Sequence, residues 1–308
     1  MSSSNFHASR YNPLENAGSE FPDTQPPQSG NERSIGEIIS EANKLSPDQI
    51  EQILAYQREN GVRFGEAAVA LGLANSDDVL WALAQQFHYP YANEGKSTLN
   101  PELIVAARPF TEQAEAFRAI RSHLIMKIYS DEGPRPALAV VSPNSGDGKT
   151  YFASNIAVAF SQLPGRTLLI DGDMRNPRLQ DLFNLPSRSG GLSSILSGRA
   201  ASKVIQSVKE LPNLFVLPVG PTPPNPLELL ERPALGLMLR ELKTKFDRII
   251  VDTPAASLGT DGAVIAAKCG AAIMVARQNQ SRYHDVQQLT RVMAMGSGRL
   301  VGSIVNEY

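Results

Sequence analysis

The chain has 308 residues, more than one domain of ordinary size needs, so two domains with accessory segments are expected. Its 29 basic and 31 acidic residues nearly cancel, so no overall field attracts nucleic acid, and we expect no nucleic-acid partner. Cys269 is the single cysteine, which excludes a disulfide framework. No apolar run approaches the ~18 residues of a membrane span, and the polar N-terminus lacks a signal-peptide core. Composition therefore predicts a cytoplasmic protein.

Changes in composition divide the chain into three parts. Residues 1–31 are rich in Ser, Asn, Pro and Gln and have few apolar side chains, which predicts a disordered tail. Residues 32–94 read as a small helical domain, and residues 95–308 read as a larger α/β domain. A linker is predicted at 89–100, around the junction of the two domains.

Residues 32–94 contain an internal repeat at a fixed offset of 65 − 36 = 29 positions. Six identities at that one offset indicate two copies of the same unit. Each copy has an apolar stretch, a polar capping sequence and a second amphipathic run, which predicts two short helices per copy. A helical docking module is the simplest interpretation. The identical pairs are Gly36 and Gly65, Glu37 and Glu66, Asp48 and Asp77, Leu54 and Leu83, Ala55 and Ala84, and Gln57 and Gln86.

A helix is predicted from about Phe110 to Tyr129. Glu115, Arg118 and Arg121 are three residues apart, so they lie on one face of that helix. The face has two interpretations. It is either a surface for contact between subunits or a solvated face with an intrahelical ion pair worth ~0.2–0.5 kcal/mol.

A strand, a phosphate loop and a helix are predicted around Gly146 and Gly148. Glycines let backbone N–H groups turn inward around a phosphate, the start of the helix adds partial positive charge, and Lys149 adds a full one. The match to the pattern G-x-x-x-x-G-K-[ST] is imperfect, because Pro143 occupies the first glycine position. The predicted nucleotide-binding residues are Ser145, Gly146, Asp147, Gly148, Lys149, Thr150 and Tyr151.

Two further apolar runs end in acidic residues. One leads into Asp171 and Asp173, and the other leads into Asp252. Continuous apolar strands are typical of a parallel sheet covered on both faces, in which ligands bind beyond the carboxyl ends of the strands. The phosphate loop and the carboxylates therefore converge on one place, where magnesium would find the oxygen ligands that it prefers. Further strands are predicted at 214–218, 271–276 and 300–305, and further helices at about 226–244, 261–268 and 284–295.

The combined motifs resemble the bacterial tyrosine kinases of polysaccharide export. The variant phosphate loop of that family is matched by Ser142–Thr150, its second motif by Leu168–Arg175 and its third by Ile249–Pro254. The resemblance covers about residues 101–308 and implies a P-loop NTPase fold with a mainly parallel sheet between helices. It also implies an ATP-dependent tyrosine autokinase that regulates exopolysaccharide polymerisation, export and chain length.

The resemblance further assigns roles to matching positions. Lys149 neutralises the β- and γ-phosphates of ATP, and Asp171 with Asp173 orients and deprotonates the attacking hydroxyl. The implied catalytic residues are Lys149, Asp171, Asp173 and Asp252, the implied magnesium ligands are Thr150, Asp173 and Asp252, and Arg175 is an added nucleotide contact.

Partners are implied in the same way. The face formed by Glu115, Arg118 and Arg121 matches the family's oligomerisation motif, which implies a homo-oligomer. Family members are typically switched on by a membrane-embedded chain-length partner, so recruitment to the inner membrane is expected. Relatives carry a tyrosine-rich tail. Here Tyr308 is the first candidate acceptor, because it alone follows the last predicted strand, and the other candidates are Tyr11, Tyr89 and Tyr91.

Two other functions compete with the autokinase. The segment after the last predicted strand reaches only ~10 Å, which favours a nucleotide-gated ATPase switch of the export complex without a protein substrate. A partition or positioning ATPase is the third possibility. Such proteins carry a lysine five positions before the phosphate-loop lysine, where this chain has Asn144.

The helical domain has a resemblance of its own. Its second copy is similar to the N-terminal domain of type II secretion and pilus-assembly ATPases, some of which bind cyclic di-GMP through paired copies. Arg63 stands where an arginine can contact phosphate or stack on guanine. The first copy has Ser34 in place of that arginine and Asn43 in place of a glycine. Protein docking and cyclic di-GMP binding are therefore both open for this domain.

Overall fold

The computed structural model describes residues 34–86, 99–129, 135–186, 190–199 and 203–307. The predicted tail at 1–31 and most of the predicted linker lie outside the described residues. The four tyrosines named above as candidate acceptors also lie outside them, and these are Tyr11, Tyr89, Tyr91 and Tyr308.

One sheet of seven strands forms the centre of the described α/β part of the chain. The strands are β1 (Ala137–Val141), β2 (Thr167–Asp171), β3 (Gln206–Val208), β4 (Leu211–Leu217), β5 (Arg248–Asp252), β6 (Gly270–Arg277) and β7 (Arg299–Asn306). Their order is β3-β4-β2-β5-β1-β6-β7. Neighbouring strands are parallel except for the antiparallel pair β3 and β4. The predicted fold class, a mainly parallel sheet between helices, is confirmed.

Thirteen α-helices occur within the described ranges. They are α1 (Ile35–Ala42), α2 (Pro47–Asn60), α3 (Phe64–Ala70), α4 (Ser76–Gln86), α5 (Ile104–Ala107), α6 (Glu112–Ile128), α7 (Lys149–Ser161), α8 (Leu179–Leu182), α9 (Leu192–Leu196), α10 (Pro226–Glu231), α11 (Pro233–Lys245), α12 (Asp261–Cys269) and α13 (Tyr283–Met295). Among the described residues, no helix combines the length and the hydrophobicity that crossing a bilayer requires.

Each face of the sheet carries its own hydrophobic core. Side chains alternate along β1, so Leu138 and Val140 belong to one core and Ala139 and Val141 to the other. The first core is completed by α6 and α7, and the second by α11 and α12. Both faces therefore carry helices, as the continuous apolar runs predict.

One predicted helix was wrong, and one strand was missed. The single helix expected at 226–244 is two helices, α10 and α11, which meet at Arg232. Arg232 has φ −56° and ψ 149°, because a residue that precedes a proline is pushed out of the α region, and Pro233 follows it. The short antiparallel strand β3 was also missed, since three residues are too few to show a pattern.

The repeat predicted in residues 32–94 is visible in the helix positions. The start of α1 at residue 35 and the start of α3 at residue 64 differ by 29, as do the starts of α2 at residue 47 and α4 at residue 76. The caps repeat as well, since Ser46 pairs with Gln49 in the first copy and Asn75 with Asp78 in the second. Helix α1 packs against α3 and α4, and α2 packs against α3. The two copies therefore bury their apolar faces against each other.

Candidate nucleotide-binding site

The loops that carry the predicted site leave the sheet at the carboxyl ends of β1, β2 and β5. Asp171 and Asp252 end adjacent parallel strands and lie directly opposite each other in register. The loop after β5 is hydrogen-bonded to the start of the phosphate loop, since Ala256 N donates to Ser142 O at 2.9 Å and Ser257 N donates to Pro143 O at 2.9 Å. The sheet thus brings the predicted loop and carboxylates together.

The phosphate loop presents a row of unpaired backbone donors. Gly146 and Gly148 have φ values of 84° and 96°, a conformation that L-residues with side chains rarely adopt. Within the described part of the chain, no protein acceptor is found for the backbone N–H groups of residues 146–150. These groups lie at the start of α7, where the helix dipole favours an anion.

Lys149 follows this loop and is 7% exposed. Among the described residues its ammonium group has neither a hydrogen-bond partner nor an ion pair. The nearby Asp252 supplies an opposite charge, since Lys149 lowers its pKa, but the ammonium donors of Lys149 still lack acceptors among the described residues. A bound anion would supply those acceptors. A phosphate group fits this position.

Asp147 holds the phosphate loop in shape through its side chain. Its Oδ2 accepts from Asn144 N at 2.7 Å, and its Oδ1 accepts from Ser281 Oγ at 2.8 Å. Its backbone carbonyl accepts from Asn306 Nδ2 at 3.1 Å. Sequence reasoning missed Ser281 and Asn306. Ser281 follows β6 and Asn306 ends β7, so both lie at the carboxyl ends of strands. That position is the sequence feature that could have identified them.

Asp252 is buried beneath Thr150. Thr150 Oγ1 donates to Asp252 Oδ2 at 2.6 Å, and Asp252 Oδ1 is buried without a hydrogen-bond partner among the described residues. Burial raises the pKa of Asp252 to about 6, while the Thr150 hydrogen bond and the charge of Lys149 lower it and Asp173 raises it. The unpaired oxygen marks a place for a further ligand.

The two carboxylates after β2 have different surroundings. Both oxygens of Asp171 are engaged, since Oδ1 accepts from Asp173 N at 3.2 Å and Oδ2 accepts from Arg178 N at 3.2 Å and Leu179 N at 3.1 Å. Burial, followed by the charge of Asp252, raises the pKa of Asp171 well above its usual range. Asp171 therefore caps the start of α8.

Asp173 uses only one of its oxygens within the chain. Its Oδ1 accepts from Arg175 N at 3.1 Å and from Asn176 N at 2.9 Å, and no bond to Oδ2 is found among the described residues. The geometry therefore favours Asp173 over Asp171 as the group that can receive a proton from a ligand.

The Arg175 side chain lies in an ion pair within the chain. Its Nε and Nη2 atoms donate to the two oxygens of buried Asp261 at 3.3 and 3.1 Å. Sequence reasoning missed Asp261. In this conformation the pair ties the loop after β2 to the start of α12, and the predicted contact of Arg175 with nucleotide stays a prediction.

Tyr151 lies at the edge of an apolar cavity of ≈180 Å³ beside the phosphate loop. Its ring packs edge-on against Phe117 with a centroid separation of 5.9 Å. Gly148, Val275 and Asn306 also line this cavity. The tyrosine therefore contributes an apolar wall next to the phosphate loop.

The predicted oligomerisation face is partly occupied by contacts inside the chain. Arg118 donates to Glu115 Oε2 at 2.8 Å and also to the Pro109 carbonyl, and Arg121 donates to Ala159 O of α7 at 2.7 Å. The Glu115 side chain is 71% exposed. The intrahelical ion pair therefore forms, and a role of these residues between subunits stays a prediction.

The arrangement suits magnesium. The described residues include no group of three or more His, Cys, Asp or Glu side chains that could hold a metal by themselves. Magnesium commonly takes one or two carboxylates and completes its shell with water and phosphate oxygens. The Thr150 hydroxyl and the unpaired oxygen of Asp252 match that requirement.

A phosphate loop after β1 and carboxylates after β2 and β5 define a P-loop NTPase. No protein-family model matches the chain. The chain is 33% identical to CapB of Staphylococcus aureus over 212 residues, which is 69% of this chain and 91% of CapB. It is 32% identical to the tyrosine-protein kinase CpsD of Streptococcus agalactiae over 193 residues, which is 63% of this chain and 82% of CpsD.

Solved structures agree with these relatives. The kinase domain of the Escherichia coli tyrosine kinase ETK matches with a TM-score of 0.63 and 28% identity, over 68% of this chain and 81% of that domain. The chimerical protein CapA2B2 matches with a TM-score of 0.62 and 29% identity, over 72% of this chain and 97% of that one. MinD of Pyrococcus horikoshii with Mg-ADP matches with a TM-score of 0.50 and 25% identity, over 56% of this chain and 70% of MinD. The chain belongs to the bacterial tyrosine-protein kinase family, as its motifs predict.

Proposed function

We propose that this chain is an ATP-dependent protein tyrosine kinase that phosphorylates copies of itself and regulates exopolysaccharide polymerisation, export and chain length. The observation that carries the proposal is buried Lys149 beside the backbone N–H groups of residues 146–150, for all of which no acceptor is found among the described residues. Relatives named tyrosine-protein kinases support the transfer to tyrosine. They do not favour the alternative of an ATPase switch without a protein substrate.

The substrate that donates the phosphoryl group is ATP. The N–H groups of residues 146–150 bind its phosphates, and Lys149 stabilises the charge that develops on the transferring group. Asp147 keeps the loop in shape through Asn144 and Ser281. The apolar wall around Tyr151 borders the loop, where the nucleoside end of the molecule finds an apolar surface.

A bound magnesium ion would supply positive charge that neutralises the phosphate oxygens of ATP. The residues that would hold it are Thr150 and Asp252, directly or through water, with Asp173 nearby. The Mg-ADP in the structural relative MinD supports this choice of ion. A pKa of about 6 leaves the Asp252 carboxyl ionised at neutral pH, as a ligand of a cation must be.

Asp173 accepts the proton of the attacking tyrosine hydroxyl. Its Oδ2 is not engaged within the described chain, whereas both oxygens of Asp171 accept backbone N–H groups. Asp171 instead fixes the loop that carries Asp173, because the backbone N–H of Asp173 donates to it. The role of Asp171 is therefore positioning.

The kinase acts with two kinds of partner. We propose a homo-oligomer that uses the face of Glu115, Arg118 and Arg121, in which exposed Glu115 makes the contact and the two arginines hold α6 in place. A membrane-embedded chain-length protein recruits the chain to the inner membrane and activates it. The similarity to the chimerical CapA2B2 supports a protein partner.

The proposal is tested by purifying the chain and its Lys149→Met variant and mapping phosphotyrosine by mass spectrometry. Phosphotyrosine is expected in the first protein and absent from the second. Lys209→Met is a matched control, because Lys209 is exposed on the turn between β3 and β4 and lies outside the site. Intact ATP hydrolysis without any phosphotyrosine would reject the kinase.

A further inference from the structure

One tyrosine outside the sequence-based candidates stands at the rim of the nucleotide site. Tyr283 is the first residue of α13 and is 79% exposed. The other tyrosines in the described ranges are less accessible. Tyr129 is 6% exposed, and Tyr56 and Tyr151 are half-buried in hydrophobic cores.

The position of Tyr283 relative to the phosphate loop is fixed on both sides. Two residues before it, Ser281 Oγ donates to Asp147 Oδ1 at 2.8 Å. Two residues after it, Asp285 Oδ2 accepts from Asn144 Nδ2 at 3.4 Å. The backbone of Tyr283 therefore lies against the outer side of the phosphate loop, while its side chain extends into solvent.

Among the described residues, no contact joins the exposed Tyr283 side chain to Lys149 or Asp252 of its own site. Lys149 and Asp252 are buried at the bottom of that site, and the Tyr283 ring is directed to solvent. A second copy of the chain, however, can meet this rim with its own site. The acceptor then enters the neighbouring site from outside.

The first turn of α13 also suits the product. A phosphotyrosine there carries close to two negative charges at neutral pH, and negative charge near the N-terminus of a helix is favourable. Of the neighbouring residues, Arg282 adds a favourable positive charge and Asp285 an opposing negative one, and with His284 they leave the surroundings polar. Nothing apolar has to be uncovered for the ring to move into another subunit.

We propose that Tyr283 is a phosphoacceptor that receives its phosphate from a second copy of this chain, an inference that rests on the tyrosine kinase activity proposed above. The Tyr283 hydroxyl oxygen bonds to the γ-phosphorus of ATP, and the bond from that phosphorus to the β–γ bridging oxygen breaks. ADP leaves with the electrons of that bond. The hydroxyl proton passes to Asp173 of the second copy.

The test mixes two variants in the presence of ATP and magnesium. The acceptor is Lys149→Met, which keeps Tyr283 but cannot transfer phosphate, and the enzyme is Tyr283→Phe, which is active but lacks the acceptor. Trypsin releases residues 283–291, a peptide in which Tyr283 is the single tyrosine. Phosphate on this peptide is expected in the mixture and absent when either protein is incubated alone.

The controls separate this proposal from the general one. Tyr283→Phe should hydrolyse ATP at the rate of the unaltered chain, and thermal unfolding of the Lys149→Met acceptor checks that it is folded. Phosphotyrosine on other residues but none on peptide 283–291 would overturn the inference and leave the kinase in place. Phosphate on Tyr283 of the unaltered chain, with none on the acceptor in the mixture, would reject transfer between copies. No phosphotyrosine anywhere would remove the kinase proposal as well.

Discussion

The helical repeat and the nucleotide-binding sheet bury different kinds of side chain. In residues 34–85, the buried residues are isoleucines, alanines and Gly65. In the sheet region, Asp147, Lys149, Asp171 and Asp252 are all buried near the carboxyl ends of the strands. Burying charge without a full set of partners costs stability, so such groups are retained where they bind or transform a ligand.

The difference separates two ways of working. In the sheet region, the ionisable side chains of the site are buried, and burial sets their protonation and their hydrogen-bond partners. The core of the repeat is apolar apart from the Trp81 indole nitrogen, which is buried without a hydrogen-bond partner among the described residues. We expect a ligand or partner of the repeat to bind its surface. The following predictions test that separation, beginning with the variant expected to have the largest effect.

Lys149→Met should reduce ATP turnover by ~10³-fold, because it removes the charge that stabilises the transferring phosphate. The side chain makes no hydrogen bond or ion pair within the described protein, so the fold should be kept. Turnover is measured by phosphate release, and circular dichroism checks the fold. Turnover equal to that of the Lys209→Met control would show that the buried charge is not used in catalysis.

Asp173→Asn should reduce phosphoryl transfer by ~10²-fold, since asparagine cannot accept the proton. It still offers an oxygen to the Arg175 and Asn176 backbones, so the melting temperature should change little. Asp171→Asn is the matched comparison. It keeps one acceptor oxygen for three backbone donors, so it should alter stability more and kcat less. Equal losses of kcat with equal melting temperatures would contradict the division of roles.

Asp252→Asn should stabilise the magnesium-free chain while it weakens turnover. The folded pKa is about 6 against a usual 3.8, so between these values the folded chain holds a proton that the unfolded chain has lost. Stability contributed by Asp252 is therefore lost as pH rises through this window, by about 3 kcal/mol in all. Asparagine has no charge to bury.

Urea unfolding of both proteins at pH 4 and pH 8 measures this effect. The variant should be the more stable protein at pH 8, and the difference in the free energy of unfolding between the two proteins should be smaller at pH 4. An equal difference in unfolding free energy at both pH values would mean that the carboxylate charge does not cause it.

Ile39→Ala should lower the stability of the helical repeat by ~2–5 kcal/mol, because it opens a cavity in a small apolar core. We propose that residues 32–94 fold as a unit of their own, so ATP turnover should stay within about twofold of the unaltered chain. Limited proteolysis should cut the variant first in its N-terminal part. A parallel loss of ATP turnover would show that the two regions unfold as one cooperative unit.

Cyclic di-GMP is expected to give no saturable heat when titrated into the full chain, because only the second copy has the arginine. Arg63 is exposed at the start of α3, while Ser34 in the first copy is used as a helix cap. Micromolar binding that Arg63→Ala removes and Arg58→Ala keeps would contradict this expectation. The repeat would then be a ligand-binding domain, not a protein-docking one.

The sequence was a good guide wherever one pattern determined one structure. The apolar runs predicted β1, β2 and β5, and the offset of 29 predicted helix starts such as residues 35 and 64. It was a poor guide to contacts between residues that are far apart in the sequence. Asn306 and Ser281 contact Asp147 from 159 and 134 residues away, and no local pattern marks such pairs. The break at Arg232 was readable from Pro233, although the apolar periodicity on both sides obscured it.

The end of β7 gives the phosphate loop a mechanical connection to the outer edge of the sheet. Asn306 donates to the Asp147 carbonyl, and a Cβ atom at Gly148 would lie 2.3 Å from the Asn306 amide nitrogen. β7 is an edge strand, the part of a sheet that another chain can reach and pull on. A sideways shift of this strand would therefore be transmitted to the phosphate loop through Asn306.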